Sequence, residues 1–217
     1  MVRMVRSRDG DGTRRRIKKS ATDFLIRKGF RGTSYGDIAA SLKTTTTNIH
    51  YHFGPKHRLV EEVVSDYVDA ALERQRVIWL DEARTLTQKL EDVVAMNRDR
   101  HRQFNRGGVG SSPWSLIGRL RLEIDVLTQP SRDALARFST ELHDYVRIAV
   151  RQALQRGELR ADCPDDDITF LVTNLVNTSS TFSQDLGSFD RLEMFFETVS
   201  RVITSAYACS AKGSDTN

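Results

Sequence analysis

The residues whose types and spacing could do chemistry lie in the run Thr44 to Tyr51, TTTTNIHY. Thr45, Thr46, Thr47, Asn48, His50 and Tyr51 carry short or planar hydrogen-bonding groups, with no carboxylate or ammonium among them. A helix with such a face suits a polar, patterned surface, and the edges of DNA bases in a major groove are one. Asn48 is the leading base reader, because an amide can bond adenine bidentately, and the Thr46 and Thr47 methyls suit thymine.

Positioning that face requires short helices sharing one core. Thr45 can cap a third helix, with Ile49 and Phe53 turned inward and Gly54-Pro55 breaking the chain; Pro55 suits the first position of a fourth. Four successive threonines weaken helix propensity, but the cap and the shared core favour helix over a lone strand. Thr33 or Ser34 caps a second helix, with Asp37 in its first turn and Ile38, Ala39 and Leu42 on its buried face. A first helix spans about Thr13 to Lys28, its stripe being Ile17, Ala21, Phe24 and Leu25, and Gly29 follows as a C-terminal cap. Residues 1–12 read as a flexible basic arm, and residues 13–54 as a helix-turn-helix domain.

From Pro55 to residue 208, helical stripes predict a larger domain. Its helices run to about Leu80, then Leu86–Phe104, Trp114–Leu127 stopped by Pro130, Ser131 to near Gly157, Asp165 or Asp166 to Gly187, and a ninth through Leu192 and Ile203. The chain is therefore expected to be all-α, with about nine helices, no strand, and a disordered tail over 209–217.

Charge is uneven. Residues 1–54 hold twelve Lys/Arg and four Asp/Glu, net +8, against +4 for the whole chain. A basic front places an electrostatic footprint at one end. Arg14, Arg15, Arg16, Lys18 and Lys19 would neutralise phosphates, adding affinity and salt dependence but little sequence choice. Backbone N–H groups of Thr33 and Tyr35 suit phosphate, Lys43 sits in the turn, and Tyr51 and Lys56 would clamp the backbone.

Other chemistries find little support. No apolar stretch is long enough to span a membrane, the N-terminus lacks a signal-peptide core, and Cys163 and Cys209 make no disulfide framework, so a cytoplasmic location is expected. His50 and His52, two apart on a helix, point to different faces and lack nearby acidic or thiol partners, so no metal is expected. Gly107, Gly108 and Gly110 lack the Lys-Ser/Thr of a phosphate loop and the context of a nucleophile elbow. With no triad or paired carboxylates, neither enzyme activity nor a cofactor is expected.

Asn97 and His101 continue the apolar stripe Leu86–Leu90–Val93. They fit an effector pocket with a few polar groups, and equally a buried pair or a stripe turned to solvent. Phe104, Trp114, Phe138, Tyr145 and Phe170 are candidate pocket walls, or core. Leu171, Leu175, Phe182, Leu192, Phe195, Phe196, Val199 and Val202 form wide apolar faces on the last two helices, to be covered by a second copy or within the subunit.

The stretch Ile17 to Val64 resembles the TetR family of bacterial transcriptional regulators. Gly29-Phe30, Thr33, Ile38-Ala39, Ile49, Tyr51, His52, Phe53 and Lys56 stand where the family pattern has its Gly-aromatic step, capped second helix, aromatic recognition helix and the Lys that opens the next. Lys43 departs from a frequent glycine in the turn; a positive φ there would cost roughly 1 kcal/mol. The resemblance implies a homodimer on a palindromic DNA operator, with half-sites ~34–36 Å or more apart. It also implies a four-helix dimer interface from the last two helices, and a pocket whose small-molecule effector releases DNA. That is a sequence-specific repressor; an activator of the same fold and an architectural DNA-binding protein without a ligand are the alternatives.

Overall fold

A computed structural model describes residues 5–106, 112–185 and 188–209. Within them lie nine α-helices: α1 Val5–Lys28, α2 Tyr35–Leu42, α3 Thr46–Phe53, α4 Lys56–Trp79, α5 Leu86–Phe104, α6 Leu116–Arg121, α7 Gln129–Gln155, α8 Asp165–Asp185 and α9 Phe189–Tyr207. A 3-10 turn, Ile124–Val126, follows α6. The only extended pairing among the described residues is an isolated bridge, Leu159 with Ala208. Residues 1–4 of the expected arm, the glycines of 107–110, Gly187 and the tail 210–217 lie outside the described residues.

Three boundaries differ from expectation. Helix α1 starts at Val5, taking in most of the expected arm. Gly10 and Gly12 each cost about 1 kcal/mol in a helix, which an established helix tolerates, and Asp11 precedes Arg15 by the favourable acid-before-base spacing. Helix α6 stops at Arg121, because the next turn swings the buried Glu123 carboxylate inward, where it accepts the Arg31 N–H at 2.9 Å. Pro130 opens α7 instead of merely stopping α6, since proline fits a first helical turn.

The chain forms two compact units, Met1–Ala71 with Ser112–Phe138, and Leu72–Ser111 with Ser139–Asn217. The first is larger than the expected 13–54: Leu59, Val60, Val63 and Val64 of α4 are buried, as are Leu116 and Leu120 of α6. Within it α1 packs on α2 and α6, and α2 on α3. In the second unit α9 packs on α5 and α8, burying Leu90, Val93, Leu192 and Phe196. Lys89 is completely buried there and donates to the Trp79 carbonyl and to Gln152 Oε1, both at 2.8 Å. Its charge thus sits on the negative end of α4, while burial, and then nearby Arg156, pull its ammonium below the ordinary lysine range. No helix among the described residues is long and apolar enough to cross a membrane.

Candidate nucleic-acid interface

Helix α2 begins with a capping box: the Asp37 N–H donates to Ser34 Oγ and the Ser34 N–H to the Asp37 carboxylate. Ser34, not Thr33, is the cap. Hydrogen bonds from Ser34 and then Lys28 hold the Asp37 carboxyl at about 2. The helix ends on Lys43 at φ 53° and ψ 47°, the one non-glycine residue with positive φ among those described. The turn keeps its left-handed form without glycine and carries the steric cost.

Thr45 caps α3, its side chain accepting the Asn48 N–H at 3.1 Å. Ile49 and Phe53 are buried. At ~100° per residue, Thr47 and Tyr51 then point directly away from the core, and Tyr51 is 84% exposed. His50 flanks this line on one side and Asn48 on the other, and Thr46, in the first turn, is exposed as well. Asn48 is half-buried and donates from Nδ2 to Thr44 Oγ1 at 3.0 Å, which leaves one amide N–H and Oδ1 for a ligand. The helix closes at Gly54, φ 67°, whose carbonyl accepts the Tyr35 hydroxyl and meets His50 Nδ1, each at 3.0 Å. The Tyr35 and His50 rings meet edge to face at 4.7 Å, and burial pushes the Tyr35 phenol up to about 12.

Several residues expected to contact DNA have partners inside the unit. Arg14 donates to the His52 carbonyl and to Glu62, and its guanidinium lies 4.2 Å from the Phe53 ring centre. Lys18 is paired with Asp66 and Glu62. Lys56 donates to the Phe30 carbonyl at 2.6 Å and lies over the Phe30 ring; burial lowers its pKa. Thr33 is buried, its hydroxyl donating to the Gly29 carbonyl and its N–H to Phe30. The Tyr35 ring is buried on Gly54. These groups tie α1, the 29–33 turn and α4 around α3 and so help to position it. Arg15, Lys43, Thr45, Thr46, Thr47, His50 and Tyr51 are exposed.

Sequence reasoning missed Glu123 and the full role of Gly29. Glu123 pairs with Arg119 at 3.1 Å and accepts the Arg31 N–H. Gly29 has φ 72°, and a Cβ there would lie 1.9 Å from Glu123 Oε1. The signal for this contact spans more than ninety residues, beyond any local pattern.

In the second unit, Asn97 and His101 are buried on α5, and the His101 ring lies 5.3 Å from that of Phe189. The half-buried Tyr145 hydroxyl donates to Glu141. Phe104 is half-buried, whereas Phe170 is 67% exposed. Trp114 and Phe138 are buried in the first unit. Of the apolar residues expected at a dimer face, Leu175, Leu192, Phe196 and Val199 are buried in their own unit, because the α8–α9 packing consumes that stripe. Leu171, Phe195 and Val202 are exposed, and Phe182 stacks on Phe195 at 5.0 Å. The exposed Met194 joins them and was not foreseen. A cleft of about 310 Å³ between α5 and α9, lined by Leu90, Val94, Arg98, Glu193, Phe196 and Glu197 among others, was not foreseen either. Among the described residues no three His, Cys, Asp or Glu side chains gather as a metal site.

Two family profiles match the chain: "Bacterial regulatory proteins, tetR family" over residues 17–63, and "Tetracyclin repressor-like, C-terminal domain" over 116–199. No curated protein matches by sequence. Among solved structures, the fold is similar to reduced NemR of E. coli (15% identity, 92% of this chain and 99% of that one, TM-score 0.73). It is similar to the regulatory protein TetR from Rhodobacter sphaeroides (18% identity, 86% and 96% covered, TM-score 0.74). A transcriptional regulator from Saccharomonospora viridis in complex with choline is also alike (19% identity, 92% and 100% covered, TM-score 0.71). At these identities the likeness concerns the fold.

Proposed function

Because the chain belongs to the TetR family of bacterial transcriptional regulators, we propose that it is a homodimeric repressor that reads a palindromic operator with α3 and is released by a small-molecule effector. The family's members are DNA-binding transcription factors, not enzymes. The observation that carries the reading is the α3 face: Thr46, Thr47, His50 and Tyr51 are exposed, uncharged hydrogen-bonding groups on a helix whose opposite side is buried. Such groups can bond base edges as well as phosphates, which suits Thr46, Thr47 and His50 to bases and Tyr51 to the backbone beside them. Arg15 and Lys43, exposed at its margins, supply the sequence-independent attraction.

Dimerisation is supported by the exposed apolar set Leu171, Met194, Phe195 and Val202, since apolar surface left in water costs ~25 cal/mol per Å². Effector binding is supported by the buried polar pair on α5 and by the α5–α9 cleft, whose volume suits a small molecule. The decisive test is selection of DNA from a random pool by the purified protein. A recovered palindrome, bound by a dimer and released by some member of a metabolite panel, is the expected result. Unselective, salt-sensitive binding alone would replace the repressor with an architectural protein.

A further inference from the structure

The Gly54 carbonyl does more than end α3. It is fixed by the cap, where the Gly54 N–H donates to the His50 carbonyl at 2.8 Å and the backbone takes φ 67° and ψ −134°. Two side chains converge on its oxygen at 3.0 Å each, the Tyr35 hydroxyl and His50 Nδ1. A carbonyl oxygen only accepts, so both partners must donate. The His50 hydrogen bond therefore requires a proton on Nδ1, and a neutral imidazole protonated there leaves Nε2 as a bare acceptor. The ring is braced edge-on by the buried Tyr35 at 4.7 Å, while the residue as a whole is exposed.

We infer that His50 is a specificity-determining residue whose tautomer is set from within the unit, so that its neutral ring presents DNA with an acceptor and selects a base carrying an amino group. In the major groove those bases are cytosine, through N4, and adenine, through N6. Guanine O6 and N7 and thymine O4 are acceptors and meet the Nε2 lone pair unfavourably. Neighbouring groups lack this one-sidedness. The Thr46, Thr47 and Tyr51 hydroxyls rotate to donate or accept, and the Asn48 amide offers both. The inference rests on the reading of α3 as the helix that enters the groove.

The test pairs two measurements on the full chain at pH 8, above the range in which histidines ordinarily titrate. Long-range proton–nitrogen correlation of ¹⁵N-labelled histidine assigns the His50 tautomer in the wild-type protein. Selection from a random pool is run with wild type and with His50→Phe, which keeps the edge contact to Tyr35 and removes both nitrogens. The expected result is an Nδ1–H tautomer, and one position in each half-site where the two pairs with the amino-bearing base on one strand, A·T and C·G, are favoured over the two reversed pairs by a preference that falls about 3- to 10-fold in the variant while other positions hold. An Nε2–H tautomer, an unchanged selection profile in His50→Phe, or a lost preference in which the two favoured base pairs do not carry their amino groups on the same strand overturns the inference. Because the tautomer is read on wild type, an Nε2–H ring overturns the inference even where the variant does not fold. A wild-type protein that selects no motif removes the α3 reading and this inference together, whereas a motif indifferent to His50→Phe removes only the inference.

Discussion

Arg14 and Lys18 on α1 and Thr47 and Tyr51 on α3 all look like DNA contacts in the sequence, and the folded chain treats them in opposite ways. The two cations face carboxylates of α4, Glu62 and Asp66, and Arg14 also covers Phe53. Thr47 and Tyr51 stand exposed on the side of α3 opposite its buried residues. Formal charge is thus a poor guide to which groups remain available. A half-exposed cation beside a carboxylate is drawn into pairing by the opposite charge, whereas a hydroxyl at the outer edge of a helix costs little to leave in water. Arg14 and Lys18 help build the frame, and Thr47 and Tyr51 are what the frame presents.

The comparison breaks if the frame can be weakened without loss of folding. Gly29→Ala should do the most damage: it strains φ 72° and drives a methyl into the Glu123 carboxylate. Strain of ~1 kcal/mol plus loss of charge-assisted hydrogen bonds predicts a stability loss of about 2–4 kcal/mol in urea unfolding. On the presenting side, Tyr51→Ala should cost about 1–3 kcal/mol in operator binding and shift the unfolding free energy by less than ~0.5 kcal/mol. Arg14→Ala should show the reverse pattern, about 1–2 kcal/mol of stability with operator discrimination by the folded fraction intact. Binding titrations and unfolding curves on both variants would sink the division if their effects were exchanged.

A smaller effect sharpens the picture at the turn. Lys43→Gly removes the left-handed penalty and should raise stability by up to about 1 kcal/mol, while lowering the salt dependence of DNA binding by roughly one counterion. A variant less stable than wild type would mean that the Lys43 side chain contributes more than its backbone costs. Smallest of all is the acid response of the α2 cap. The Asp37 carboxyl titrates at about 2 instead of 3.8, so its contribution is present above about pH 4 and is lost as pH falls towards 2. Asp37→Asn should flatten that part of the stability profile measured by acid titration of helical signal.

Much of the frame is legible from local pattern. The Thr45 cap, the inward Ile49 and Phe53, the C-terminal Gly29 and the extent of α5 follow from spacings of three and four residues. What stays hidden is the pairing of residues far apart in the chain. Arg14 and Lys18 find their partners 48 residues on, and Arg31 finds Glu123 92 residues on. Nothing in the vicinity of Arg14 separates it from Arg15, which stays exposed. The apolar stripes of α8 and α9 were visible as stripes, but which edge is used inside the unit depends on how the helices rotate against each other. Hence Phe196 is buried while Phe195, its neighbour, is exposed.

The buried Lys89 has a use of its own. Held between the Trp79 carbonyl and Gln152 with no exposed surface, its amine is shielded from acylating reagents that consume surface lysines quickly. Reaction at this amine must wait for the second unit to open, so its labelling rate is a clock for that opening. The clock is read by mass spectrometry of one peptide, and it would slow when anything binds and tightens the unit.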